Sequence, residues 1–403
     1  MVRWIQSGDS ALMNGHLMTL VHIIAENLKC GRLTIIAPDG DVRHFEGGVD
    51  GPDAVLQLNS LRAIRRFMAG GSLGFAEAYL DGDWDSPDLP RLLELLVLNN
   101  DAYLDHFYGR GWFRWLARLR HLFRPNSIRG SRRNILAHYD LGNRFYQHWL
   151  DPSMTYSSAR FERPDASLED AQTAKYASLA NKLALHEGHH LLEVGCGWGG
   201  FAEFAAREVG AKVTAITISD QQHAFAAERI QSAGLSEKVE IRLQDYRDVD
   251  GRFDRVASIE MFEAVGESYW PVYFDKLAGI VQPGGVVGLQ VITIADHYYE
   301  TYRRGADFIQ RHVFPGGMLP SPAALQQQWE GAGLQKLSET TFGLDYAKTL
   351  AIWNRRFQAA WPELLQLGYD QRFKRLWQYY LAYCEAGFKA GWTDVCQIAL
   401  RRA

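Results

Sequence analysis

Leu191-Leu192-Glu193-Val194-Gly195-Cys196-Gly197-Trp198-Gly199-Gly200 is the stretch that decides the fold. The short apolar run His190–Val194 reads as a buried strand, and the glycines after it let the backbone turn tightly into a helix opening at Gly199. A strand, a glycine loop and a helix in that order aim the free N–H groups of a helix N-terminus at a bound ligand. Gly-x-Gly alone is common to several nucleotide-binding folds. Here Glu193 precedes Gly195 by two residues, and the spacing is Gly-x-Gly-x-Gly instead of the Gly-x-Gly-x-x-Gly of dinucleotide binders.

Outward from this loop the chain alternates. Strand-like runs Lys212–Ile216, Val239–Arg242, Phe253–Ile259 and Val286–Ile294 are interleaved with helical patterns from Asp220 and around Tyr269–Leu277. Repeated βαβ units imply an α/β fold, a mostly parallel, Rossmann-like sheet with helices on both faces. The second strand ends Ala215-Ile216-Thr217-Ile218-Ser219, with no acid to hold an NAD ribose, which argues against a dehydrogenase. Asp245-Tyr246, after the third strand, stands where such folds clasp an adenine. The loop resembles that of class I methyltransferases, whose glycines hold the methionyl part of S-adenosylmethionine.

Composition sets wider bounds. The 403 residues suffice for two domains, and 43 Lys+Arg against 47 Asp+Glu exclude a nucleic-acid binder by overall charge. Cys30, Cys196, Cys384 and Cys396 stand far apart, without metal-type pairing, as in a reduced cytoplasmic setting. No apolar run approaches the ~20 residues that span a bilayer. Residues 1–105 read as a smaller α/β domain for packing or lipid handling. Its signals are an apolar helical pattern through Leu17, Leu20, Val21 and Ile24, a strand Leu33–Ala37, a turn at Pro38-Asp39-Gly40, and helical stretches Leu58–Met68 and Leu89–Leu98. Residues 106–133 carry eight arginines and no acid, with Arg110, Arg114 and Arg118 on one helical face beside Trp112, Trp115 and Leu119. That basic amphipathic linker suits an anionic lipid surface, or a solvated helix packed between domains. Residues 134–403 hold the ligand-binding domain. His186-Glu187-Gly188-His189-His190 has the zinc-protease spacing, but Gly188 interrupts the helix that two imidazoles four apart require, so a turn is expected and no metal.

Four segments together resemble one family, the cyclopropane-fatty-acyl-phospholipid synthases and mycolic acid methyltransferases. They are His138-Tyr139-Asp140-Leu141-Gly142-Asn143, Thr155-Tyr156-Ser157-Ser158, Ser258 through Gly266, and Tyr302 through Ser321, with Phe314-Pro315-Gly316-Gly317-Met318-Leu319-Pro320-Ser321 the most specific. The resemblance runs from about Asn134 to Trp392 and implies S-adenosylmethionine as cofactor. Tyr156, Ser157, Gly195, Gly197, Thr217, Gln222, Asp245 and Tyr246 match cofactor-binding positions, and Tyr139, Glu193, Trp198 and Ser219 join them as candidates from their motifs. Tyr139 and Asp140 read equally as a helix cap at Leu141.

On the catalytic side, Glu263 and Tyr346 match residues that hold a bicarbonate ion acting as base, with Ser158 and Gln290 beside them. Ser158 replaces a cysteine, and Ala264 and Gln290 replace histidines, as in the plant branch. Glu263 also reads as a structural acceptor after a buried strand, and Tyr346 as a core residue. An anion beside Glu263 requires a shared proton, so a raised pKa is expected there. The implied activity is methyl transfer to the cis double bond of an unsaturated phospholipid acyl chain, closing a cyclopropane ring. A methyl-branched or methylated-alkene product is the alternative, and a small-molecule methyltransferase a second one. The expected setting is cytoplasmic and peripheral on the inner face of the membrane, with a homo-oligomer compatible and no nucleic acid.

Overall fold

Alternation of buried and exposed residues in the first strands, and nearly continuous burial in the later ones, separates two architectures within the chain. The computed structural model describes residues 27–100, 141–305 and 307–402; the Leu17–Ile24 pattern, the 106–133 linker and Tyr139 lie outside these. Two units result, Met1–Pro125 with Leu365–Ala390, and Asn126–Leu364 with Gly391–Ala403.

In the first unit, β1 (Cys30–Ile36), β2 (Val42–Glu46), β3 (Val49–Leu58) and β4 (Trp84–Asp85) form a sheet in the order β2-β1-β3-β4. β1 and β3 run parallel, and Leu33, Ile35, Ala54, Leu56 and Leu58 alternate onto one buried face, the half-covered pattern of a small α/β layer. Helix α1 (Arg62–Leu80) runs well past the stretch suggested by sequence, because Gly71, at φ 58°, kinks it without ending it. Helix α2 (Leu89–Leu98) is capped by the Asp88 side chain on the Arg91 amide, and its C-cap Asn99 takes the Lys29 and Cys30 amides. The helix Gln371–Lys389 also belongs to this unit, although sequence placed it with residues 134–403. Arg375 explains the difference: its guanidinium donates to Tyr79 O at 2.6 Å and Trp84 O at 2.9 Å, and Nη1 meets Asp85 at 3.0 Å.

The second unit is built on helix α3 (Leu168–Lys182) followed by an alternating series. The series runs β5 (His190–Val194), α4 (Gly200–Phe204), β6 (Lys212–Thr217), α5 (Asp220–Ser232), β7 (Val239–Leu243), β8 (Phe253–Ile259), α6 (Trp270–Ile280) and β9 (Val281–Ile294). Helix α7 (Pro322–Gly331), β10 (Leu334–Thr341), α8 (Gly343–Ala359) and β11 (Thr393–Arg402) complete it. The seven strands lie in the order β10-β11-β9-β8-β5-β6-β7, parallel from β9 to β7, with β11 and β10 antiparallel at one edge. Successive residues feed opposite cores. Leu192, Ile216 and Val256 pack with Phe262, Phe274 and Leu277, whereas Leu191, Ala215 and Ala257 pack with Leu179, Leu183 and Phe201. Both faces are therefore dry, which is why these strands read as apolar runs. Residues 186–189 form a turn in which the His186 and His189 rings lie 3.4 Å apart, and His190 already pairs in β5.

Helix α3 reaches the sheet because β9 carries no side chain at Gly288. A Cβ there would sit 2.9 Å from Leu183 and 3.0 Å from Leu179. Gly288→Val should therefore overpack the α3–β9 contact and destabilise the protein by about 1–3 kcal/mol. A thermal melt showing an unchanged Tm would remove this contact from the account of α3's position.

Candidate cofactor and active site

The strand order reverses between β5 and β8, and the crevice at the carboxyl ends of such strands is where open α/β sheets bind ligands. The cavity found there is lined by Gly195, Cys196 and Gly197 after β5, Thr217 at the end of β6, Gln244 to Arg247 after β7, and Ile259 at the end of β8 with Glu260 and Met261 after it. Of the residues singled out by sequence, Tyr156, Ser157, Glu193, Gly195, Gly197, Trp198, Thr217, Gln222, Asp245 and Tyr246 all line it.

Each is held by its element. Gly195 and Gly197 have φ of 82° and 51°, in the left-handed region that favours glycine. A Cβ on Gly195 would strike Met261 at 2.7 Å, while one on Gly197 would meet no protein atom within 4 Å. The space beside Gly197 is thus open cavity. Ser219 caps α5 through the Gln222 amide, and Thr217 Oγ1 donates to Gln222 Oε1 at 2.8 Å, fixing the β6–α5 turn. Trp198 Nε1 donates to Asn143 at 2.8 Å, and the Trp198, Tyr146, Tyr156 and Trp353 rings form a chain with centroids 5.0–5.4 Å apart. Asp245 holds Arg247 at 2.6 Å, and burial pushes the Tyr246 hydroxyl up to about 12. Glu193 is buried with Oε2 unpartnered, and burial pushes its carboxyl up to about 8. A buried acid with an unmet oxygen, an open face at Gly197 and an acid after β7 fit a cationic, adenosine-bearing ligand.

The catalytic candidates assemble differently from expectation. Tyr346, Gln290 and Ser158 converge on Glu260, not on Glu263. Glu260 Oε1 accepts from the Ser158 amide at 2.8 Å and from Gln290 Nε2 at 2.7 Å, and Oε2 accepts from the Tyr346 hydroxyl at 2.6 Å. Glu260 lines the cavity; Glu263 does not. Glu263 Oε1 accepts from the Ile292 amide at 2.5 Å while Oε2 has no partner, and burial, reinforced by the charge of Glu260, pushes its carboxyl up to about 8. Ser158 Oγ donates to Ala159 O at 2.9 Å. The Tyr346 hydroxyl and Ser158 amide, expected around bicarbonate with Glu263, thus hold a carboxylate of the chain itself, that of Glu260. Glu260 stood in the quoted segment, and the signal for it was an acid directly after an apolar strand at the switch point. Its backbone φ of 48° is unusual for a non-glycine residue, and Met154, at 56°, lines the same cavity.

The family model of mycolic acid cyclopropane synthetases matches residues 126–398. The chain belongs to this family. It is 40% identical over 350 residues to the tuberculostearic acid methyltransferase UfaA1 of Mycobacterium tuberculosis, covering 84% of this chain and 81% of that protein. It is 36% identical over 340 residues to the cyclopropane-fatty-acyl-phospholipid synthase of Escherichia coli K12, covering 84% and 85%. The mycolic acid cyclopropane synthase CmaA1, solved with SAH and CTAB, superposes with a TM-score of 0.63 at 31% identity, over 67% of this chain and 98% of that one. The protein is an S-adenosylmethionine-dependent methyltransferase, and the sheet order of its second unit is that of the class I fold.

Gly197→Val tests the cavity. A β-branched residue at φ 51° is strained by roughly 1–2 kcal/mol, and its methyls would project into the open space. Calorimetry should find cofactor binding lost while circular dichroism keeps the wild-type helix and strand content.

Proposed function

We propose that the protein transfers the methyl group of S-adenosylmethionine to the cis double bond of an unsaturated phospholipid acyl chain, closing a cyclopropane ring. The observation that carries the reading is Glu260, a half-buried residue in the wall of the cofactor cavity whose carboxylate is gripped by three donors. When bound, the cofactor supplies an electrophilic methyl. An alkene has no proton to surrender before attack; the proton must leave afterwards, from the cation formed on the acyl chain. That order calls for a base set in a dry wall, near aromatic faces that tolerate positive charge. Glu260 has that setting, beside Tyr346 and with Tyr156 and Trp353 in the same aromatic run. A proton taken from the added methyl gives the ring. One taken from a neighbouring carbon gives a methylated alkene, the reading favoured by the 40% identity to a tuberculostearic acid methyltransferase.

Burial raises the Glu260 pKa against the opposing pull of Tyr346, Lys175, Ser158 and Gln290. A base must be ionised to act, so turnover should fall as pH drops through a value above the ordinary carboxylate range. Glu260→Gln should lower kcat by about 10²-fold or more with little change in cofactor affinity. Proton NMR of the lipid product then separates the outcomes: upfield ring-methylene signals mean closure, and vinyl or branched-methyl signals mean the alternative. Full turnover by Glu260→Gln would remove it as the base.

No helix among the described residues is long and apolar enough to cross a membrane. The substrate is nonetheless a lipid, so we assign the arginine-rich 106–133 segment to docking on anionic membrane from the cytoplasmic side. Reversing Arg110, Arg114 and Arg118 to Glu should weaken binding to anionic vesicles, and wild-type binding should decline with salt. Vesicle binding indifferent to both would turn the segment into an internal helix.

A further inference from the structure

Behind the cavity wall sits a fully buried ammonium group. Lys175, in the middle of α3, has no exposed surface, and its Nζ donates to Ser157 Oγ at 2.7 Å. Taking an ammonium out of water costs several kcal/mol unless opposite charge surrounds it. No carboxylate lies within ion-pair contact of Nζ among the described residues, yet Glu260, Asp151 and Glu193 all act on it electrostatically, and the Tyr176 ring lies 4.5 Å away. Asp151 has donors of its own in the Ser153 and Thr155 amides at 2.9 and 3.3 Å. Glu193 and Glu260 stand in the cavity wall, and of the three acids Glu260 acts on Lys175 most strongly.

We propose that Lys175 is the positioning residue of this site, a fixed cation that keeps Glu260 ionised for proton acceptance and pins the Ser157-Ser158 segment whose amide holds it. The inference rests on the reading of Glu260 as base. Charge and geometry point the same way. Lys175 grips the Ser157 side chain from behind, and the next residue, Ser158, grips Glu260 in front. With the Glu193 carboxyl pushed up to about 8 by burial, Glu260 and Lys175 remain as the opposed charges of this part of the wall. Without Lys175 the Glu260 carboxylate would lose a cation that favours its ionised form, and it would take up a proton more readily. Burial presses Glu260 in the same direction, while Tyr346, Ser158 and Gln290 oppose it. Burial pushes Lys175 down to about 8, which leaves it cationic near neutral pH.

The test is the pH dependence of single-turnover methyl transfer to vesicles of a phospholipid bearing one cis-alkene. Removing a nearby cation raises a carboxylate pKa, so the acid limb should move to higher pH. For Lys175→Met we expect a shift of about one unit or more, a tenfold loss of rate at fixed pH below the limb. Lys175→Arg, which keeps the charge, should return the limb toward its wild-type position. A Lys175→Met enzyme whose limb stays at the wild-type pH overturns the proposal. Should that variant not fold, the comparison is made between Lys175→Gln, neutral but still able to donate to Ser157, and Lys175→Arg: the Gln variant should carry the shifted limb, and a limb at the same pH in both overturns the proposal. Failure of the Glu260 reading shows separately, as a Glu260→Gln enzyme that still turns over.

Discussion

The hydrogen bond from Tyr346 to Glu260 joins a helix late in the chain to the end of strand β8, across 86 positions of sequence. The same carboxylate takes an amide from the loop before α3 and another from the side chain of β9. Three elements are thus tied at one half-buried acid, whose carboxylate needs those partners in place of the water it has lost. The tie continues inward: Gln290 Oε1 accepts from Gln397 on β11 at 3.0 Å, and Gln397 Oε1 from Ser178 on α3 at 2.7 Å. A polar network closed on itself in this way resists rearrangement, because each broken bond leaves a buried group unsatisfied.

The parallel sheet makes that tie possible. Dry faces on both sides hold β5, β6 and β8 in register, so their carboxyl ends finish together and the glycine loop, the Thr217 turn and Glu260 open onto a single cavity. Backbone strain is concentrated at the same place. Among the described residues, two of the three non-glycine residues with positive φ, Met154 and Glu260, line the cavity. Strain of this kind persists only where surrounding contacts over-determine the conformation, and at Glu260 three donors do so.

The β5 loop, β6 turn and β7 end line one part of the cavity, while Glu260 after β8 stands in its wall and Lys175 lies behind Ser157. Ser157 belongs to both groups, since it lines the cavity and receives Lys175. In a low-dielectric wall each charge is felt strongly by the others, so balance among Glu193, Glu260, Glu263 and Lys175 decides which form each takes.

Local signals sufficed for much of this. His190–Val194 and Phe253–Ile259 are strands with the limits their apolar runs suggest, because a strand buried on both faces writes itself as such a run. The glycine spacing with Glu193 likewise marked the cofactor loop, since positive φ at Gly195 and Gly197 is a demand of the backbone alone. β10 and β11 were not legible: they pair antiparallel across a long helical insertion, and their pairing is a long-range event. The same holds for the helix Gln371–Lys389, which Arg375 docks to the first unit. From sequence, Tyr346, Gln290 and Ser158 were recognised but attached to Glu263, three residues from the acid they hold. Only the tertiary structure decides between them, because β8 ends in a left-handed turn at Glu260 that puts its side chain in the cavity wall, while Glu263 accepts from the amide of Ile292 on β9.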